Sequence, residues 1–276
     1  MRGFISTMSL AVLSSAAPLC AQLQTPNEAG VAMCELHLSA RAEDLEAQRK
    51  FWIALGGMST KKGPFEIMKF PGVLVFLNSA SPSESPFGGS VGSVVNHVGF
   101  RVPNFQESMA RWKAAGLKIV LDQSPKQGSV FAPGDVMIEI KEDASLTVPI
   151  AFHHIHFYVG EAGGGDTNSV QRIKAWYVTM FGAKPGKRAG FEAADLPGVN
   201  LTFSKSPTVT VGTRGRVLDH IGLEVKDLDA FCKKLEAGGV KFNVPYELSP
   251  TGLGSAFLTD PWGTYIELDE VLNPGE

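Results

Sequence analysis

The six histidines of the chain stand at positions 37, 97, 153, 154, 156 and 220, and each falls in a strand-like run that opens a repeated pattern. Successive side chains of a strand point to opposite faces, so parity sorts each run. In Leu218–Val225 the residues Ile221, Leu223 and Val225 make an apolar face and leave His220, Gly222 and Glu224 on the other. In 153–159, Ile155, Phe157 and Val159 are apolar, and His154, His156 and Tyr158 share the opposite face. Near the C-terminus Ile266 and Leu268 oppose Tyr265 and Glu267. A carboxylate such as Glu267 on the non-core face of an interior strand is costly without a cation or hydrogen-bond partner. Two imidazoles and one carboxylate, His154, His220 and Glu267, form the 2-His-1-carboxylate set that holds a divalent ion and leaves coordination positions open. Fe, Mn, Zn or Ni would each suit it. The spacing is too long for a local zinc motif, so this site requires folding to bring three strands together. The competing reading packs each histidine at a strand end against a backbone carbonyl. The coincidence of all six in four short runs favours a shared role.

The elements that must position these groups come from a repeat. Val95–Val102 returns as Leu218–Val225 with His97 matched to His220, 123 residues further on. Phe70-Pro71-Gly72-Val73 returns as Leu196-Pro197-Gly198-Val199, and Glu139 as Glu267. That is a tandem duplication of domain length. Each half divides again into a strand, an amphipathic helix and further strands. Helices are expected over 43–55, 104–115, 169–181 and 227–237, each stopped by glycine. Opening strands are expected at 34–40, 95–102, 153–159 and 218–225. Further strands are expected near 64–70, 73–78, 118–121, 129–132, 136–140, 189–194, 199–204, 240–243, 255–259 and 264–269. The expected fold is α+β, with tandem βαβββ units in two consecutive domains, 31–143 and 150–270, joined across Ala144–Ile150. Gly163-Gly164-Gly165 reads as a loop insertion. In the first domain His97 and Glu139 repeat His220 and Glu267, with Glu35 or His37 as the third donor.

The chain has 276 residues, 44% of them hydrophobic, and a net charge of −3, so no basic field points to nucleic acid. Arg2, the apolar run Phe4–Ala17 and the ending Leu19-Cys20-Ala21 read as a secretory signal over residues 1–21, cut before Gln22. A buried N-terminal helix or a membrane anchor is the alternative, although the run is short for a span. A secreted or periplasmic protein is therefore expected, with a small-molecule substrate and no membrane contact in its mature form. A homodimer is compatible with the sequence. Cys34 and Cys232 are too few for a disulfide framework and are expected to be buried thiols.

The pattern His220-Ile221-Gly222-Leu223-Glu224-Val225-Lys226-Asp227 before an amphipathic helix resembles the vicinal-oxygen-chelate (glyoxalase / bleomycin-resistance / extradiol-dioxygenase) superfamily. So does the hairpin Asp260-Pro261-Trp262-Gly263-Thr264-Tyr265-Ile266-Glu267-Leu268. The resemblance covers residues 31–270. It implies that paired βαβββ units close into a cup whose metal ligands come from first and last strands, which by position are His154, His220 and Glu267. It implies acid–base roles for cup-facing His156 and for Tyr265, while His153 is one residue off register. Glyoxalase I-type relatives take a fourth ligand from a strand that here reads Val199-Asn200-Leu201-Thr202-Phe203-Ser204, without carboxylate or histidine. That departure favours a three-ligand, dioxygenase-like site acting on a small oxygen-rich substrate. Ring-cleaving catechol enzymes place a further acid–base group about ten residues before the last ligand, where this chain has Phe257. The alternatives are a glyoxalase- or epimerase-type lyase or isomerase, and a non-catalytic small-molecule-binding protein of the bleomycin-resistance kind.

Overall fold

The computed structural model describes residues 24–62, 65–80, 87–121, 124–160, 168–250 and 252–270. The expected signal segment and the Gly163–Gly165 loop lie outside the described residues. Four βαβββ units follow one another. Unit one comprises β1 (Val31–Ala40), α1 (Leu45–Leu55), β2 (Met58–Lys62), β3 (Phe65–Phe70) and β4 (Val73–Ser79). Unit two comprises β5 (Val95–Val102), α2 (Phe105–Ala114), β6 (Lys118–Leu121), β7 (Gln127–Ala132) and β8 (Val136–Glu142). Unit three comprises β9 (Ala151–Val159), α3 (Ser169–Phe181), β10 (Lys184–Arg188), β11 (Phe191–Leu196) and β12 (Val199–Lys205). Unit four comprises β13 (Leu218–Val225), α4 (Leu228–Ala237), β14 (Phe242–Leu248), β15 (Gly254–Thr259) and β16 (Tyr265–Glu270).

The α+β fold of tandem units is as the repeat predicts, and β5, α3 and β13 occupy the expected residues. Two strands escape the sequence pattern. Both β2 (MSTKK) and β10 (KPGKR) are terminal strands of their sheets, polar and short of apolar alternation. Charge and proline are tolerated there because one side of an edge strand needs no ladder partner. The helix ends follow their glycines: Gly182 closes α3 in the left-handed region at φ 66°, where its N–H returns to the helix carbonyls.

The pairing of units differs from the expected one. One eight-stranded sheet runs β14-β15-β16-β13-β1-β4-β3-β2 and joins units one and four, while the other runs β10-β11-β12-β9-β5-β8-β7-β6 and joins units two and three. We call these the outer and inner cups, after the position of their units in the chain. The division at Ala144–Ile150 therefore separates two units that share a sheet. Parity assigns the faces of a strand but not its neighbour, and the four opening strands have similar patterns. The first strands meet antiparallel at the centre of each sheet, with His37 opposite His220 and His97 opposite His156.

The apolar faces of both sheets merge into one continuous core with the helices. Trp52 of α1 lies against Phe70 of unit one and Phe100 of unit two, with ring centroids 5.9 and 6.5 Å apart. Phe181 of α3 stacks on Phe231 of α4 at 6.3 Å. Cys34 and Cys232 are buried and free of any disulfide. No helix among the described residues is long and apolar enough to cross a membrane.

Candidate metal centres

The faces turned away from the core carry the polar groups that parity assigned to them. In the inner cup β5 supplies His97, β8 supplies Glu139 and β9 supplies His154 and His156. The register places Gly99 beside Glu139 in β8 and opposite His154 in β9. A side chain at Gly99 would overlap the His154 imidazole, so glycine here lets that ring cross the neighbouring strand toward Glu139. The outer cup repeats the device: Gly222 lies beside Glu267 and opposite Glu35, and a side chain there would overlap Glu35. This equivalence makes Glu35 the counterpart of His154 and His37 the counterpart of His156, resolving the two alignments left open by the sequence.

The expected triad is therefore divided. His220 and Glu267 come together in the outer cup, where His220 Nε2 lies 2.9 Å from Glu267 Oε2, whereas His154 belongs to the inner sheet. The two expected acid–base groups are divided as well. His156 lines the inner cavity, and Tyr265 stands in the outer cup with its ring 5.5 Å from that of His220. The cause is the cross-pairing of units. Each cup nevertheless assembles its own donors, with His97 and Glu139 completing the inner set and His37 and Glu35 the outer one.

In the inner cup, His154 Nε2 stands 3.1 Å and His97 Nε2 3.9 Å from Glu139 Oε2. All three atoms are buried and make no hydrogen bond of regular geometry. Two donors each about 2.1 Å from one ion are separated by about 3 Å at right angles and about 4 Å when opposed, so each imidazole nitrogen lies at a distance from Glu139 Oε2 that sharing an ion allows. Ligand atoms of His97, His154 and His156 also lie within 4.8 Å of one another. His97 Nδ1 is 2.9 Å from Asn96 Oδ1, and donating there leaves the Nε2 lone pair facing the cluster. His153, off register as expected, forms a chain behind the site: Arg101 donates to its Nε2 at 2.6 Å, and its Nδ1 lies 2.8 Å from His154 Nδ1. Glu139 Oε1 accepts from Gln127 at 2.8 Å, and Lys141 Nζ lies 2.9 Å from Oε2.

Burial and the neighbouring His156 and His154 push His97 down to about 3, and burial lowers His154 as well. Burial alone would raise Glu139, but the polar contact with His154 at 3.1 Å, the neighbouring His97 and the Lys141 ammonium outweigh it and hold the carboxyl at about 2. Neutral imidazoles beside an ionised carboxylate are the protonation states that ligation requires. The cluster opens onto a cavity of about 350 Å³, lined also by Tyr158, Phe191 and Arg188. His156 Nε2 is 2.8 Å from Ser204 Oγ, and burial lowers the imidazole to about 4.

The outer cup offers His37, His220, Glu267 and Glu35. His37 Nε2 lies 3.2 Å from Glu267 Oε2 and 3.3 Å from Glu35 Oε2, and its ring is stacked between His220 at 4.1 Å and Phe76 at 4.5 Å. Burial disfavours a charge on His220, yet hydrogen bonds to Asp219 and Glu267 outweigh it and raise the imidazole to about 9. Burial raises Glu35 to about 8, next to an Asp269 that burial also raises. His37, His220 and Glu267 lie close enough to share an ion, and His37 Nε2 and Glu35 Oε2 are buried without a regular hydrogen bond, but Glu35 and His220 hold protons that an entering ion must displace. Cys34, Glu35 and Asp269 also lie close enough to share an ion, but burial keeps the Cys34 thiol protonated.

The sequence places Tyr158 on the face of His154 and His156, but parity assigns it no role, and the sequence does not single out Lys141 or Arg188. Lys141 shares the face of Glu139 two residues earlier, whereas Arg188 lies on the unrecognised edge strand β10.

Comparison with known proteins agrees with this architecture. Residues 167–268 match the Glyoxalase/Bleomycin resistance protein/Dioxygenase superfamily. The crystal structure of glyoxalase I from Zea mays is similar in fold, with a TM-score of 0.64 and 16% identity over 87% of this chain and 93% of that one. A proposed dioxygenase from Bacillus subtilis subsp. subtilis str. 168 is similar at TM-score 0.61 and 12% identity over 91% of this chain and 86% of that one. No curated protein sequence gives a significant match. Both cups are built from the same repeating unit, and the segment 167–268 that matches the superfamily runs from the third unit into the fourth, so it contributes to both sheets.

Proposed function

We propose that the protein is a metal-dependent enzyme of the vicinal-oxygen-chelate type, with its centre in the inner cup and His97, His154 and Glu139 as the residues that hold a divalent ion. One observation carries this reading: ligand atoms of His97, His154 and His156 lie within 4.8 Å of one another at the edge of a cavity, the buried Nε2 atoms of His97 and His154 make no regular hydrogen bond, and Glu139 Oε2 stands 3.1 Å from His154 Nε2. Leaving such groups unsatisfied costs about 1–3 kcal/mol each, more for a charge, and an ion offsets that cost. When bound, such an ion acts as a Lewis acid toward two neighbouring substrate oxygens or, with iron, activates dioxygen. Two imidazoles and one carboxylate favour dioxygenase-like chemistry on a small oxygen-rich substrate. His156, neutral at pH 7, is placed to accept a proton, and Tyr158, whose phenol burial raises, to donate one.

Metal analysis of the purified protein tests the reading. His97→Ala should remove about one equivalent of tightly held Fe, Mn, Zn or Ni, and unchanged occupancy would overturn the assignment. The outer cup supports a second reading, because two imidazoles and two carboxylates are the richer set suited to a glyoxalase- or epimerase-type lyase or isomerase. Under that reading, metal and activity are lost with His220→Ala and kept with His97→Ala. A protein that binds small molecules without metal would instead fit the bleomycin-resistance kind of module. We also propose export to the periplasm or medium, with a mature chain beginning near Gln22. An intact Met1 on protein recovered from the cell envelope would contradict it.

A further inference from the structure

The charged side chains lining the inner cavity are Glu139, Lys141 and Arg188. Lys141 extends from β8, two residues beyond Glu139 on the same face, and its Nζ is 2.9 Å from Glu139 Oε2. Arg188 ends the edge strand β10 on the unit-three side of the sheet and pairs with Asp195 at 2.8 Å. The two cations thus enter the cavity from strands on either side of β5 and β9. Both are partly exposed, 36% and 44% for their side chains, so a ligand can reach them. A metal ion held through Glu139 would compete with Lys141 for the same oxygen. The ammonium would then face the cavity beside a divalent charge, with Arg188 on the other side held by Asp195.

Rings form part of the remaining wall. Those of Phe191 and Tyr158 lie 5.2 and 4.8 Å from that of His156, inclined to it at 70° and 44°. Such faces accept a planar, conjugated molecule.

We propose that the inner cup takes a planar substrate bearing a carboxylate in addition to its two neighbouring oxygens, and that Lys141 and Arg188 select it through that carboxylate. This rests on the metal-centre reading for the placement of the two oxygens, whereas the anion site stands on its own residues. Arg188 offers a fork of donors to the carboxylate, and Lys141 a mobile point charge.

The test compares 3,4-dihydroxybenzoate with catechol, its neutral counterpart, by calorimetric titration of the zinc-loaded protein, after metal content has been read. The carboxylate compound should bind at least about tenfold more tightly, an advantage that shrinks in high salt. Lys141→Met and Arg188→Met should each retain full metal and reduce the preference severalfold. A preference near unity, or one unchanged in both variants, overturns the proposal with the metal centre intact. Glu139→Gln supplies the independent arm, since it removes a metal ligand and frees Lys141 at once. It should still prefer 3,4-dihydroxybenzoate to catechol even when no ion binds, and loss of the preference there counts against the anion site. Failure of the metal reading would instead appear as wild-type protein that takes up no ion.

Discussion

At the scale of single residues, the two strand glycines and the buried imidazoles make the sharpest tests. Gly99 and Gly222 lie in strand interiors, where glycine weakens a sheet unless another group needs the space. That group is His154 in one cup and Glu35 in the other. Gly99→Ala should displace His154, cost about 1–3 kcal/mol by overpacking and remove the inner ion, as read by thermal unfolding and metal content. Its counterpart Gly222→Ala should leave inner-cup metal in place. The imidazoles also set the response of the metal-free protein to pH. Burial lowers His37 and His97 to about 3 and His156 to about 4, below the ordinary 6.5, so the unfolded chain takes up protons there before the native one does. Each of these groups contributes stability that is present above pH 6.5 and lost on acidification, at about 1.4 kcal/mol per pH unit. Glu35, raised to about 8, works the other way from its ordinary 4.5 upward, and His220, raised to about 9, loses its contribution as pH rises above 6.5. The three falling imidazoles outweigh Glu35 on the acid side, while Glu35 and His220 act together on the alkaline side. The urea midpoint of the metal-free protein should therefore peak near pH 6.5, and a midpoint that increases on acidification from pH 6.5 to 5 would contradict these assignments.

At the scale of elements, most of the fold was legible because a period of two or of 3.6 is written wherever one face meets the core. β5, α3 and β13 came through to the residue, and so did the parity that places His154, His156, His220 and Glu267 away from the core. β2 and β10 did not, since edge strands with solvent on one side have no apolar alternation to betray them. The glycine punctuation proved a sound guide to helix ends. Gly182 sits at φ 66°, and a Cβ there would stand 2.7 Å from that of Ala29, so Gly182→Ala should cost about 1–2 kcal/mol, measurable by chemical denaturation. Alanine at exposed Gly186, where a side chain meets open space, should change stability little.

At the scale of the molecule, the sequence showed four equivalent units but not which of them meet. The difference matters because His154 and His220 open consecutive units that belong to separate sheets. A repeat that is faithful in its core faces carries no record of its partners, so the ligand set could be read by type and strand position but not by cup. Glu35 against His154 is the informative departure between the two copies. It makes the inner cup richer in neutral donors and the outer cup richer in acid, so the two should differ in metal preference. Cobalt or zinc titration of His220→Ala and His97→Ala should resolve two affinities, with the tighter one lost in His97→Ala.

The nesting of one pair of units inside the other also dictates an order of events during synthesis. Units two and three are neighbours in the chain and can close the inner sheet as soon as residue 205 has emerged, whereas β1 must wait for β13, almost 190 residues later. Until then β1 is paired only with β4 of its own unit and keeps its other edge open, the kind of edge that recruits other chains. Late closure of so distant a contact is slow. The tryptophans can report it, since Trp112 and Trp176 lie in the inner units and Trp52 and Trp262 lie with the outer ones. In refolding followed with each pair alone, the inner signal should mature first and the outer signal should lag, with its slow phase growing more prone to aggregation as protein concentration rises. A chain released after residue 205 should hold an inner cup and precipitate through the strand left waiting.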